Sequence, residues 1–222
     1  YSAKEKKLVA FHEAGHVVVG LQIDEADTVH KVTIVPRGQA GGYAIMLPKE
    51  ERFFTTKQEL LDRIAGLLGG RVAEEIVLGE VSTGAHNDFQ KVTRIARAMV
   101  TEYGMSDKIG ATQFSSSSGG NVFLGRDFNS DQNYSDQIAY EIDQEIQAIV
   151  NNQYERTRQI LTENRELLDL IANTLMEKET LNAQEIEHLR DHGTLPEVEE
   201  VVKEEEVTNE VTPSIEKTGS AT

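Results

Sequence analysis

The chain has 222 residues, of which 38% are apolar and none is cysteine, and its formal net charge is −16 at pH 7. This length is enough for one or two domains with a buried core, and the lack of cysteine excludes disulfides, thiolate zinc ligands and a cysteine nucleophile, so any metal must be held by His, Asp or Glu. The negative charge argues against a nucleic-acid partner, because binding phosphates requires a concentrated basic face.

The first part of the chain is predicted to form a helix, two strands and a second helix. Apolar spacing and strand-ending prolines place these elements at Glu5–Leu21, Val29–Val35, Gly41–Leu47 and, opened by a capping box of Thr56 and Glu59, at 57–79. Gly69-Gly70 is expected to interrupt the second helix. No stretch approaches the roughly 18 apolar residues of a membrane span, so we expect this chain to be soluble, and its start at Tyr1 is typical of a domain cut from a longer polypeptide.

The second part is predicted to be a helical bundle. A polar loop at Ser82–Asp88 precedes a helix at Phe89–Tyr103, Ser115–Gly120 has the composition of a surface loop, and the last elements are helices after Asp131, at Glu166–Glu177 and at Ala183–Arg190. The segment after Pro196 carries eight Glu and two Lys and has little to bury. We therefore predict a folded domain at 1–195 and an acidic, disordered tail at 196–222.

One motif carries a clear chemical signal. His12-Glu13-Ala14-Gly15-His16 has the pattern H-E-x-x-H, and the i, i+4 spacing on a helix brings both imidazoles within reach of one tetrahedral zinc ion. In such sites the glutamate is the general base that takes a proton from a zinc-bound water. Gly15 lowers helix propensity by up to about 1 kcal/mol relative to Ala, which indicates a close approach of another element.

Spacing leaves the third ligand open. A third His six residues beyond the second, as in metzincins, is missing because Gln22 occupies that position. Five side chains elsewhere remain candidates: His30, Glu74, Glu75, His86 and Asp88. For Asp88 an alternative is that it only caps the following helix, since Asp is a common N-cap residue.

Several motifs in order resemble one family, the FtsH-type proteases, which are membrane-embedded AAA+ ATPases with a C-terminal zinc peptidase domain. The likeness covers nearly all of residues 4–195. It rests on five segments: Val9–His16, His30–Ile34 with Pro36–Gly38, Gly69–Glu75, Ser82–Asp88 and Tyr103–Ser106.

The resemblance implies a role for individual residues. His12, His16 and Asp88 would ligate one zinc ion, Glu13 would be the catalytic base, and Glu74 would orient a ligand histidine by a hydrogen bond, whereas His86 would not be a ligand. An extended substrate would pair with the strand beside the cleft, at Gly41, Gly42, Tyr43, Ala44 and Ile45. The implied fold is mainly α-helical (α+β), with a small sheet near the zinc and a C-terminal helical bundle.

The resemblance also implies a larger assembly. The family works as a homo-hexamer whose AAA+ ring feeds unfolded polypeptides to the peptidase, anchored by transmembrane helices with the peptidase domain facing the cytoplasm. This chain has no G-x-x-x-x-G-K-[ST] phosphate loop. ATP and Mg²⁺ would therefore bind only to an ATPase module outside it.

Two other functions remain as alternatives. The chain could hold zinc without cleaving peptides, although intact Glu13 counts against that reading, or it could be a structural helical bundle that assembles a complex. Zinc content separates the second alternative from the first, and cleavage of an unfolded protein such as casein separates a zinc-holding domain from a peptidase.

Overall fold

The computed structural model describes residues 1–23, 27–51, 53–114 and 134–197. These ranges form six α-helices, three strands and one 3₁₀ turn: α1 Ala3–Ile23, β1 Asp27–Thr33, β2 Tyr43–Pro48, α2 Lys57–Leu78, the turn Thr83–Ala85, α3 His86–Thr101, α4 Asp136–Glu163, α5 Arg165–Lys178, β3 Thr180–Asn182 and α6 Ala183–His192. The predicted mainly α-helical (α+β) class with a small sheet is confirmed. Within these ranges, none of the helices is both long enough and apolar enough to span a bilayer.

Two sequence predictions concern residues that the structure does not describe. The predicted loop at Ser115–Gly120 lies outside the described residues, as does the predicted acidic tail from residue 198 onward. The division at residue 195 stays a prediction.

Helix α1 is the central element of the fold. It is buried on nearly every side between Ala10 and Gly20, and α2 crosses it so closely that a Cβ built on Gly15 would lie 2.2 Å from the carbonyl oxygen of Gly69. The predicted close approach at Gly15 is therefore confirmed. Helix α2 runs unbroken through Gly69 and Gly70, so the predicted interruption is wrong: both glycines lie at tight contacts with α1, where packing outweighs their low helix propensity.

The sheet is antiparallel with the strand order β2-β1-β3, and β2 is therefore an edge strand. The strand bounds differ from the prediction: β1 lies two residues earlier, at Asp27–Thr33, and β2 begins at Tyr43, so that Gly41 and Gly42 precede it. The short strand β3 was not predicted, because three residues are too few for a periodic pattern.

Two hydrophobic clusters make up the core. The first packs α1 against the sheet, α5 and α6, and the second fills the space between α2, α3 and α4. Helix α2 contributes to both clusters, since Val72 and Ala73 belong to the first, and Ile64 and Leu68 to the second. Its two faces thus join the two halves of the molecule.

Two helix starts follow the local signals in the sequence, and the start of α3 does not. Thr56 accepts the N–H of Glu59, which is the first half of the predicted capping box, and Asn182 forms the full predicted box with Glu185. The polar segment before α3 differs: the helix begins at His86 and its N-cap is Ala85, so Asp88 is its third residue. The predicted loop through Asp88 is therefore too long, and the interpretation of Asp88 as an N-cap is wrong.

Candidate metal centre

Helix α1 presents the two histidines of the H-E-x-x-H motif on one face. The Nε2 atoms of His12 and His16 lie 3.1 Å apart, and their side chains are only 8% and 13% exposed. The i, i+4 spacing produces this pairing, because residues four apart are neighbours on a helix surface.

Asp88 reaches the same point from α3. Its Oδ2 lies 3.2 Å from Nε2 of His12 and 3.3 Å from Nε2 of His16. A 3₁₀ turn at Thr83–Ala85 immediately precedes α3, and Asp88 lies in the first turn of that helix. Among the described residues, these three side chains are the group whose ligand atoms could hold a metal ion.

Hydrogen bonds from the far side of each ring fix which nitrogen carries a lone pair. Nδ1 of His16 lies 2.8 Å from the carbonyl oxygen of Gly66, which can only accept, so Nδ1 donates. Nδ1 of His12 likewise donates to Oε2 of Glu74 at 2.6 Å. In the neutral imidazoles, both Nε2 atoms therefore direct lone pairs at Asp88.

Three acceptor atoms that converge in this way need a cation between them. Zinc bound by His nitrogen and Asp oxygen at about 2.0–2.2 Å in tetrahedral geometry requires ligand atoms about 3.3–3.6 Å apart, and the separations here are 3.1, 3.2 and 3.3 Å. The residues present thus fit a zinc ion with three protein ligands and one open position.

Without a metal, the positive charge between these acceptor atoms must come from bound protons. Burial lowers the pKa of His12, but its hydrogen bonds to Asp88 and Glu74 outweigh burial and raise that pKa to about 10. Burial on its own raises the pKa of Asp88, yet the two imidazoles hold it well below its usual value. Both shifts describe a site arranged for positive charge.

Glu13 lies beside the candidate ligands and is 7% exposed. Burial raises the pKa of this carboxyl group, against the opposite influence of His16 and His12. A raised pKa suits a carboxylate that takes up a proton during a reaction and then releases it. Glu13 lines the same cleft as the three convergent side chains.

Glu74 is fully buried in α2 and has a partner for each carboxylate oxygen. Oε2 accepts from His12, and Oε1 accepts the backbone N–H of Ser82 at 2.9 Å. Burial alone raises its pKa, but these hydrogen bonds lower it overall. The carboxylate is therefore kept charged, which fixes the tautomer and the ring plane of His12.

The other candidate ligands lie outside the group of convergent atoms. Glu75 is paired with Arg158 at 2.6 Å and with the hydroxyl of Tyr154. His30 is at the irregularity of β1 between Val29 and Lys31. His86 is exposed and lines the cleft, but its side chain is not part of the convergent group.

A cleft of about 1110 Å³ runs over the site. Its lining includes Gly41, Gly42, Tyr43, Ala44 and Ile45, in β2 and just before it, and residues of α2 and α3. The cleft is larger than most small-molecule pockets, which are about 300–1,000 Å³, and the sheet borders it with an edge strand.

Sequence reasoning missed two backbone features of the site. The carbonyl of Gly66 orients His16, and Gly70 leaves space for His12, because a Cβ at position 70 would lie 2.4 Å from the imidazole ring. The glycine pair was visible in the sequence, but as a break in helix propensity and not as a contact.

Comparisons with known proteins agree with this geometry. The peptidase family M41 matches residues 1–189. The chain is 72% identical over 196 residues to the ATP-dependent zinc metalloprotease FtsH of Bacillus subtilis (strain 168), covering 88% of this chain and 31% of that protein. It is 66% identical over 195 residues to the protein of the same name from Alkalihalophilus pseudofirmus, covering 88% of this chain and 29% of that one.

A third relative is the FtsH of Staphylococcus haemolyticus, 61% identical over 209 residues, covering 92% of this chain and 29% of the relative. The chain thus spans about three tenths of the length of these relatives. The resemblance to FtsH-type proteases is confirmed, and the chain belongs to peptidase family M41.

Proposed function

We propose that this chain is a zinc metalloendopeptidase domain of an FtsH-type protease. The observation that carries the proposal is the convergence of His12 Nε2, His16 Nε2 and Asp88 Oδ2 within 3.1–3.3 Å of one another, beside the buried Glu13, under a cleft bordered by a strand edge. Each part corresponds to one requirement of peptide hydrolysis: a metal site, a base and a place for an extended chain.

His12, His16 and Asp88 are the proposed zinc ligands. When bound, zinc supplies a polarised water of lowered pKa and a Lewis acid for the scissile carbonyl. Two histidines and one carboxylate would also suit the Fe(II) of oxygenases. The buried Glu13 and the zinc metalloprotease names of the relatives favour zinc and hydrolysis.

Glu13 is the proposed general base. Its carboxylate takes a proton from the attacking water and passes it to the leaving amine nitrogen, so the same group acts first as a base and then as an acid. Burial raises its pKa, which favours the protonated form that the second step requires. Glu74 does not react; it holds His12 by a 2.6 Å hydrogen bond so that Nε2 faces the metal position.

The edge strand is the proposed substrate site. Strand β2 pairs with β1 on one side only, and its residues line the cleft. A peptide that adds to this edge would be held by backbone hydrogen bonds at Tyr43, Ala44 and Ile45, with Gly41 and Gly42 continuing the contact before the strand. Such binding depends little on sequence, which suits a protease with many unfolded substrates.

The larger assembly is inferred from the relatives. Because the chain spans about three tenths of their length, we propose that it works within a longer polypeptide. An AAA+ module there would bind ATP and Mg²⁺ and form a homo-hexameric ring that delivers unfolded or damaged membrane and cytosolic proteins. Transmembrane helices outside this chain would anchor the protein with the peptidase domain on the cytoplasmic side.

Metal analysis combined with a peptidase assay tests the proposal. The purified chain should contain one zinc ion and cleave an unstructured fluorogenic peptide, and a chelator should remove both properties. A chain that binds zinc but cleaves neither this peptide nor casein would be the non-proteolytic alternative. A folded chain that binds no zinc would be the structural helical bundle.

A further inference from the structure

The segment from Ser82 to Phe89 carries Asp88 to the metal site, and helix α2 holds the start of that segment at two points. The N–H of Ser82 donates to Oε1 of Glu74 at 2.9 Å, and the carbonyl of Ser82 accepts from Nη2 of Arg71 at 2.8 Å. Arg71 and Glu74 are three residues apart and therefore share a face of the helix. The backbone of Ser82 is thus fixed on both sides of its Cα.

Arg71 also contacts the other end of the segment. Its Cζ lies 4.6 Å from the centre of the Phe89 ring, within the range of a cation–π interaction. Phe89 is the residue next to Asp88. One guanidinium group therefore joins the residue that starts the segment to the residue that follows the carboxylate.

The placement of this guanidinium has an energetic cost. Arg71 Nε is buried and, within the described part of the chain, has no hydrogen-bond partner, which leaves a desolvated donor uncompensated. A planar guanidinium can both donate to Ser82 and stack on Phe89, whereas an ammonium group has no such plane. The two contacts explain why an arginine is held here.

We propose that Arg71 is a positioning residue that fixes Asp88 relative to His12 and His16 and thereby sets the zinc affinity. The inference rests on the proposed zinc site. Asp88 must be placed to within a few tenths of an ångström for its Oδ2 to complete the group with the two Nε2 atoms, and the segment that carries it starts at Ser82, whose backbone is bound by α2. Arg71 supplies that connection through α2, the helix that also carries Glu74.

The alternative is that Arg71 contributes only to general stability. The two cases differ in one respect. Substitution of a positioning residue changes the zinc affinity more than the stability of the metal-free protein, because the segment can shift without unfolding the core. Substitution of a residue that contributes only to general stability lowers the zinc affinity and the stability of the metal-free protein together.

Arg71→Met in the 222-residue chain separates these cases. We expect the zinc affinity, measured by competition with a chromophoric chelator, to fall about 10- to 100-fold, as for other residues that orient metal ligands. The urea midpoint of the metal-free variant should stay close to that of Arg158→Met. Arg158 is the matched control, because it pairs with Glu75 and lies over the Tyr154 ring at 5.6 Å but contacts neither Ser82 nor Phe89; Arg158→Met should keep the parent's zinc affinity.

A second variant keeps the test decisive if Arg71→Met folds poorly. Phe89→Leu retains apolar packing and removes the ring, so the zinc affinity should fall by roughly two- to five-fold. In the double variant with Arg71→Met the two losses should not add, because one contact cannot be lost twice. Amide hydrogen exchange at residues 84–89 of the metal-free protein should be faster in Arg71→Met than in Arg158→Met.

The inference is overturned if Arg71→Met binds zinc within two-fold of the parent, if Arg158→Met loses as much affinity, or if the Arg71 and Phe89 losses add in full. A parent chain that binds no zinc would contradict the proposed function instead. The two failures are therefore distinguishable in one set of titrations.

Discussion

The two faces of helix α2 are packed in opposite ways. Towards α1 the contact is made by backbone, with Gly15 against the carbonyl of Gly69, whereas towards α4 it is made by large side chains such as Ile64, Leu68 and Ile142. A contact made by backbone tolerates no added atom. At a contact made by side chains, stability changes gradually as side-chain volume changes. Two of the three proposed zinc ligands, His12 and His16, are on α1 and so lie at the backbone-packed face, where geometry is most closely constrained.

The largest effect is expected from Glu13→Gln. The amide cannot take a proton from water, so peptide cleavage should fall by about 10²- to 10⁴-fold. Zinc should remain bound, since the three proposed ligands are unchanged. Cleavage by metal-replete Glu13→Gln protein at the parent's rate would contradict the mechanism.

Asp88→Asn should affect the metal more directly. Replacing an anionic ligand by a neutral amide should lower zinc affinity by more than the roughly 10- to 100-fold typical of an orienting residue, and peptidase activity should fall with it. Helical circular dichroism should stay close to the parent's, because Asp88 is the third residue of α3 and does not cap it.

His86→Ala is the control for Asp88→Asn. His86 opens the same helix and lines the same cleft but is not part of the convergent group, so this variant should keep its zinc. Loss of metal from His86→Ala, with full zinc affinity in Asp88→Asn, would reverse the assignment of the third ligand.

Two glycines of α2 test whether close backbone packing shapes the site. A Cβ at Gly70 would lie 2.4 Å from the ring of His12, and a Cβ at Gly66 would meet nothing within 4 Å. Gly70→Ala should displace His12 and lower zinc affinity by about ten-fold or more. Gly66→Ala leaves the carbonyl that orients His16 in place and should raise the free energy of unfolding by up to about 1 kcal/mol.

Zinc titrations and urea unfolding of both variants test this pair. Equal zinc affinities in Gly70→Ala and Gly66→Ala would show that the close contact between α2 and His12 does not shape the site. The parent serves as the reference for both measurements.

The sequence predicted the local features of the fold and of the site better than the contacts between distant residues. The caps at Thr56 and Asn182 and the histidine pair of α1 depend on residues three or four apart, so local pattern was sufficient for them. Asp88 lies 76 residues from His12 along the chain, and spacing left it among five candidates until the family resemblance selected it. The role of Gly70 could not be predicted, because a glycine has no side chain and the sequence does not identify the neighbour that occupies the space.

The smallest effect is expected on the side-chain-packed face of α2. Ile142 of α4 is 2% exposed in the second hydrophobic cluster, and Ile142→Val removes one methylene group without adding any atom. The free energy of unfolding should fall by about 0.5–1.5 kcal/mol. Zinc affinity should not change, because the proposed ligands His12 and His16 lie on α1, which packs in the first cluster, and loss of one methylene group from the second leaves α3 in place. A zinc affinity that fell as much in Ile142→Val as in Gly70→Ala would mean that the two faces are coupled through the helix, and that the site depends on the whole core.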